Sequence, residues 1–303
     1  MNSITINKNI SPGIEFKDNS VLRKFKNRLF KFIIILLSII TISPIVLILS
    51  KLIIKGFRQI NIDFFTQVAP DTFEAMTAIA SGDIIPGGIA NGITGTFLIV
   101  IIASVIAIPI GIITGVYLYE NPGKRYANLI RNLSDILQGV PSIVLGIIGY
   151  LWVVINVTNG FSALAGSVAL AIMMLPLIVR STEETMKMVP ENIKEAAAAL
   201  GVPYHKIIIR VMIPSSFSGL LTGILLAISR VLGETAPLLL TTLGSSFINL
   251  DVSKPTSAVP LLIWNFYNDP NMINLIWSSS LFLIGLVLAL NIIAKRIIAN
   301  REK

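Results

Sequence analysis

Residues 195–214 read Glu-Ala-Ala-Ala-Ala-Leu-Gly-Val-Pro-Tyr-His-Lys-Ile-Ile-Ile-Arg-Val-Met-Ile-Pro, a polar insert between two apolar runs that are each long enough to cross a bilayer. Gly201 follows an alanine-rich helical run, where a helix takes a left-handed residue just past its end, and Pro203 suits the first position of a new helix. The insert therefore predicts a helix, a sharp turn and a second helix. Alanine side chains let another surface approach closely, and the glycine turn fixes the angle between the two arms. The element docks; it does not span.

Outward from the insert the chain is apolar. Hydrophobic residues make up 54% of the 303, charged residues 13%, and the mean hydropathy is +0.81, which describes an all-α polytopic membrane protein. The formal net charge of +8 comes from short basic clusters beside apolar runs, a topology signal that excludes nucleic acid as the partner. With no cysteine and one histidine, His205, the chain offers no disulfide framework, thiolate metal site or histidine relay. No metal site and no catalytic residue are expected, and His205 reads as a surface residue of the insert.

Taken in order, residues 1–28 form a polar tail ending in Arg23, Lys24, Lys26 and Arg28, and residues 29–54 a first membrane helix containing Pro44. That run is too long for a cleaved leader and lacks a small-x-small cleavage site. Residues 55–90 are mixed in character and read as an external loop. Residues 91–294 hold the remaining spans, among them Gly92–Tyr119, with Pro109 and a Gly111/Gly115 pair spaced for close helix packing. The third, Ser134–Val157, is interrupted by Gly139, Pro141 and Ser142, either as a broken helix lining a pathway or as a packing kink. The fourth ends near Val179, the 181–216 loop follows, and Phe217–Leu243 and Leu275–Ala294 complete about six spans. The basic tail 295–303 and the other clusters put both termini and the insert in the cytoplasm.

Arg230 and Glu234 are the ionisable pair deep inside an apolar run, and their spacing of four places them on one helical face. Such residues are costly in lipid and must face protein or a water-filled cavity. At about 1.5 Å per residue, Arg230 falls roughly 15–20 Å from the start of its span, close to mid-bilayer. Pro237 would free the carbonyl of Gly233 beside Glu234. A guanidinium fork that stays charged suits an oxyanion, whereas mutual neutralisation of the pair would suit a helix contact.

Two segments carry a family resemblance. Glu195, Ala196, Ala197, Gly201, Val211, Ile213 and Pro214 resemble the EAA loop of ABC importer permeases, with Val211 where Ile is usual and Ile213 where Leu is usual. Arg230-Val-Leu-Gly-Glu-Thr-Ala-Pro, including Thr235 and Pro237, is similar to a segment of phosphate ABC importer permeases, as is the Gln138–Gly146 run. The resemblance implies a type I ABC importer permease fold and a coupling loop at 181–216. It also implies a substrate pathway through Arg230, Glu234, Thr235 and Pro237 in a bacterial inner membrane. The implied partners are a sister permease, two cytoplasmic ATPase subunits, an external or periplasmic phosphate-binding protein, inorganic phosphate and membrane lipid. No phosphate-binding Gly-x-x-x-x-Gly-Lys loop occurs, so ATP and Mg would sit on the partner and no cofactor on this chain. Importers of molybdate, sulfate or phosphonate remain open alternatives, as does an ion-driven secondary transporter using Glu234. An intramembrane enzyme has no nucleophile–base pair to support it.

Overall fold

The computed structural model describes residues 20–301, so the expectations for the first part of the 1–28 tail and for Lys303 lie outside the described residues. The chain divides into two units, residues 1–51 and 52–303. In the first, helix α1 (Ser20–Gly56) runs without a break through Pro44, and every residue from Arg23 to Lys51 is exposed. Its hydroxyls fold back on the helix: Ser38 and Thr41 donate to the carbonyls of Ile34 and Leu37 at 2.8 and 2.9 Å. That removes polar groups from an otherwise apolar surface.

The second unit begins with the last turn of α1. The 55–90 stretch, an external loop in the sequence reading, holds two short helices, α2 (Ile62–Thr66) and α3 (Thr72–Ser81). Both start on side-chain caps, since Asn61 Oδ1 accepts from Phe64 N–H and Asp71 Oδ1 from Glu74 N–H. Phe64, Ala75, Ile85 and Ile89 bury against Val259 and Phe266, which gives this region a small core of its own.

The main core lies between α4 (Ala90–Glu120) and α7 (Ala163–Lys187). A Cβ at Gly111 would lie 2.6 Å from Ile178 Cγ2, and one at Gly115 2.5 Å from Thr182 Cβ. The small-residue pair thus lets α7 seat against the α4 backbone. Around these two pack α5 (Arg125–Gly139), α6 (Ser142–Gly149, continued by a π turn over Tyr150–Val154), and α8 (Glu191–Ala199). Next come α9 (Tyr204–Ile207) and α10 (Ile213–Ser215), joined by a π turn at Ile208–Met212. The chain closes with α11 (Phe217–Val231), α12 (Ala236–Thr241), α13 (Val259–Tyr267) and α14 (Ile273–Arg301).

Among the described residues four helices are long and apolar enough to cross a membrane; the bent pairs α5/α6 (106°) and α9–α10/α11 (71°) bring the number to six by length and composition. Among the described residues there is no strand, only an isolated parallel bridge between Leu243 and Thr256.

Two expected spans are divided, and for Ser134–Val157 the outcome is the broken helix. Ser134–Val157 is not one helix: α5 ends at Gly139 and α6 starts at Ser142, because Pro141 lacks the N–H that would continue the ladder and holds Val140 out of the helical region. Phe217–Leu243 is likewise divided, α11 ending at Val231 and α12 starting at Ala236. Pro237 therefore sits in the first turn of a new helix, where its missing N–H costs nothing, rather than in the interior of an old one.

Candidate functional site

At the insert end, α8 runs from Glu191 to Ala199 and the chain reverses at Gly201, whose φ of +72° is the left-handed conformation its alanine run predicts. No neighbouring atom lies within 4 Å of a Cβ placed there. Pro203 takes φ −59° and ψ 140°, so it precedes the helix and Tyr204 is the first helical residue, one position later than the sequence suggests. The EAA-like residues divide by side. Ala197, Val211 and Ile213 pack on a cluster of Met186, Ile207, Ile208 and Met212. Glu195, Ala196, Gly201 and Pro214 face outward, as does His205. The outward tip is apolar: Leu200 is 83% exposed, far more than an apolar side chain needs unless another surface covers it.

Lys194 fixes the angle of α8. Its Nζ lies 3.4 Å from Glu120 Oε1 and 5.3 and 5.1 Å from the rings of Tyr119 and Tyr204, so one ammonium ties α8 to the end of α4 and to α9. No local pattern points to Lys194, since its ion-pair partner Glu120 and the Tyr119 ring lie over 70 residues away in sequence.

The half-helices that follow the two breaks pack on each other. A Cβ at Gly146 of α6 would lie 2.7 Å from Pro237 Cα of α12, and one at Gly149 would lie 3.2 Å from Thr241 Cγ2. Gly139, Pro141 and Ser142 thus lead into a half-helix lying directly on the half-helix that Pro237 opens. Thr235 is the residue before α12, without a capping hydrogen bond from its side chain. Freed backbone groups of this kind persist at membrane depth only where protein or water covers them.

Arg230 lies in the last turn of α11, not mid-helix, with its Nε 3.9 Å from Glu234 Oε1. A cation at that position also faces the negative end of the helix dipole. The side chains are 42% and 21% exposed, so the pair is loosely held and open on one side. Thr222, Leu226 and Arg230 form one exposed stripe of α11 at four-residue spacing.

Three further ion pairs lie beyond the residue signal, each with a member on α7. The apolar run ends at Val179, but the helix continues to Lys187 and carries the charges with it. On its open side Arg180 Nε lies 2.8 Å from Glu184 Oε1. On its inner side Glu183 is fully buried, accepts from Arg131 Nε at 2.8 Å and pairs with Lys187. Arg131 also donates to the Leu118 carbonyl at 2.7 Å and to Asn128 Oδ1 at 2.8 Å, joining α4, α5 and α7. Among the described residues no group of His, Cys, Asp and Glu could hold a metal ion.

At the opposite end, a cavity of about 340 Å³ is lined by Asn91, Ser245, Ser257, Asn265 and Asp269. Asn91 Nδ2 donates to the Ser245 carbonyl at 2.8 Å and Thr96 Oγ1 accepts from Val259 N–H at 2.9 Å, pinning the 243–258 loop to the start of α4. The Asn271 backbone N–H holds the Asp269 carboxyl below the usual carboxylate range.

Helices interrupted at membrane depth, a paired arginine beside one break and an apolar-tipped insert outside the bilayer define a transporter membrane subunit. Residues 107–303 match the binding-protein-dependent transport system inner membrane component family, and the chain belongs to it. The fold is that of a type I ABC importer permease. It is similar to a chain of the MetNI methionine ABC transporter in inward facing conformations, with a TM-score of 0.56, 20% identity, and coverage of 69% of this chain and 94% of that one.

Within that class the chain belongs to the PstA family. It is 37% identical to the phosphate transport system permease protein PstA of Yersinia pestis over 92% of both chains. It is 35% identical to that of Haemophilus influenzae over 92% of this chain and 96% of the other, and 34% identical to that of Mycobacterium leprae over 100% and 98%.

Proposed function

We propose that this chain forms one half of the membrane pathway of an ATP-driven phosphate importer. The observation that carries the reading is that Arg230 and the Val140–Pro141 break open onto uncovered surface of the same unit, a surface too polar for lipid. A PstC-like sister permease covers that surface, and inorganic phosphate passes between the two. Two cytoplasmic ATPase subunits, which bind ATP and Mg, grip the insert, and an external phosphate-binding protein delivers substrate to the opposite end. Both termini face the cytoplasm of a bacterial cell, and this chain binds no cofactor. Uptake of radiolabelled phosphate into cells is the test. Competition by unlabelled phosphate but not by sulfate, molybdate or phosphonate supports the reading; in sealed vesicles uptake requires ATP, and uptake driven by an ion gradient alone refutes it.

The absence of cysteine makes the topology directly measurable. An impermeant thiol reagent added to intact cells is expected to label Asp251→Cys and to leave Lys206→Cys unlabelled; the reverse pattern overturns the six-span orientation.

Gly201→Asp is expected to detach or uncouple the ATPase subunits while the chain still inserts. A Cβ meets open space there, so the damage comes from forcing a side chain into φ +72° and from a charge on the approach surface, not from internal clash. ATPase subunits that co-purify at the normal ratio, with normal uptake, refute the docking role.

A further inference from the structure

We infer that Arg180, with Gln138 and the hydroxyls of Ser181 and Thr185, forms a second binding station for the transported oxyanion on the insert side of Arg230. This rests on the phosphate-importer reading above. The station is a cavity of about 290 Å³ lined by Gln138, Arg180, Ser181, Glu184, Thr185 and Leu226. Set against the roughly 30 Å³ that a water molecule occupies, it has room for a tetrahedral oxyanion with part of its hydration.

Three elements build it. Gln138 comes from the end of α5, one residue before the helix break, and its side-chain amide has no hydrogen-bond partner among the described residues. Arg180 uses Nε toward Glu184, while its terminal nitrogens have no protein acceptor among the described residues. Two donors that could be satisfied by one oxyanion thus face the same space. The third wall is α11, which packs antiparallel to α7. A Cβ at Gly219 would meet Thr185 Cγ2 at 2.2 Å and one at Gly223 would meet Ser181 Oγ at 1.8 Å, so the α11 backbone seats directly on these two residues and closes the cavity on that side, with Leu226 at its edge.

The position relative to Arg230 gives the station its role. Leu226 lines the cavity and lies one helical turn before Arg230 on the same exposed stripe. The two arginines are therefore separated by about 6–10 Å along the α11 axis, a step short enough for an anion to leave one before fully losing the other. Each arginine carries a glutamate four residues later. That carboxylate competes for the guanidinium and keeps each stop weak enough to be left, as conduction through successive sites requires.

The test uses the whole transporter in inside-out membrane vesicles without ATP, with Leu226→Cys as the sole cysteine of this chain, so that both arginines remain. Labelling of this chain by a thiol reagent is followed in phosphate and in chloride at equal ionic strength. Phosphate at tens of millimolar is expected to slow labelling at least threefold. Arg180→Gln should abolish that protection, Arg180→Lys should keep part of it, and Arg230→Gln should leave it intact, since the station fills from the insert side. Met188→Cys, also at the cavity and 81% exposed, serves as a second reporter if Leu226→Cys does not assemble. No phosphate protection at either reporter, or protection that survives Arg180→Gln, overturns the station. Failure of the underlying reading looks different: the unmodified transporter would then not take up phosphate at all.

Discussion

Arg230→Gln is expected to lower phosphate uptake per assembled complex by about 10- to 100-fold. Hydrogen bonds to a charged group are worth about 1.5–3 kcal/mol each, and every 1.4 kcal/mol is a factor of ten. Glutamine is shorter than arginine but keeps its first two methylenes and a neutral donor, so the complex should still assemble; what is lost is the charged fork. Glu234→Gln has a different consequence. It leaves the guanidinium without its competitor 3.9 Å away, so phosphate is held longer and turnover falls although the anion still binds. The double Gln variant separates a pathway role from a packing role. If the pair merely neutralised itself against α12, removing both charges would restore uptake, because two neutral amides can satisfy each other at little cost. If Arg230 meets the substrate, the double variant assembles normally and still does not transport. Radiolabelled uptake normalised to complex in the membrane decides between them. Recovery in the double variant removes Arg230 from the path.

The features legible from sequence were those fixed locally. An alanine run closed by Gly201 allows only one kind of turn, and the structure shows the left-handed residue there. Gly111 and Gly115 announce a close helix neighbour, though not that the neighbour is α7 at Ile178 and Thr182. Pro141 and Pro237 were visible as interruptions, but composition could not distinguish a kink from a stop. The difference lies in what covers the freed backbone: here α6 covers the start of α12, with Gly146 against Pro237, while Pro141 stays exposed. Hydropathy also ended the fourth span at Val179 because charge begins there, whereas the helix ends two turns later. Glu183 and Glu184 thus fall in the expected 181–216 loop, with Arg180 just before it, and Arg131, the partner of Glu183, lies 52 residues away, where no spacing rule reaches.

Of these missed residues, Glu183 predicts the largest effect on stability. Its carboxylate is fully buried and depends on Arg131, which is 17% exposed, and on Lys187, which is half-exposed. Arg131→Leu leaves Glu183 inside the helix packing with only the half-exposed lysine, and also strips the Leu118 carbonyl of its donor. Breaking a buried pair from one side typically costs about 3–5 kcal/mol, so the thermal midpoint of the solubilised complex should fall and less complex should reach the membrane. Glu183→Gln should be milder, because the amide oxygen still accepts from Arg131 and the guanidinium keeps the Leu118 carbonyl and Asn128. The double change Arg131→Leu with Glu183→Leu should recover much of the loss, since it removes the stranded charge and leaves Lys187 to solvent. Midpoints measured for the three variants should therefore rank Arg131→Leu lowest. A double variant less stable than Arg131→Leu would show that the carboxylate contributes something other than charge compensation. An Arg131→Leu midpoint equal to that of the unmodified complex would show that Lys187 alone satisfies Glu183.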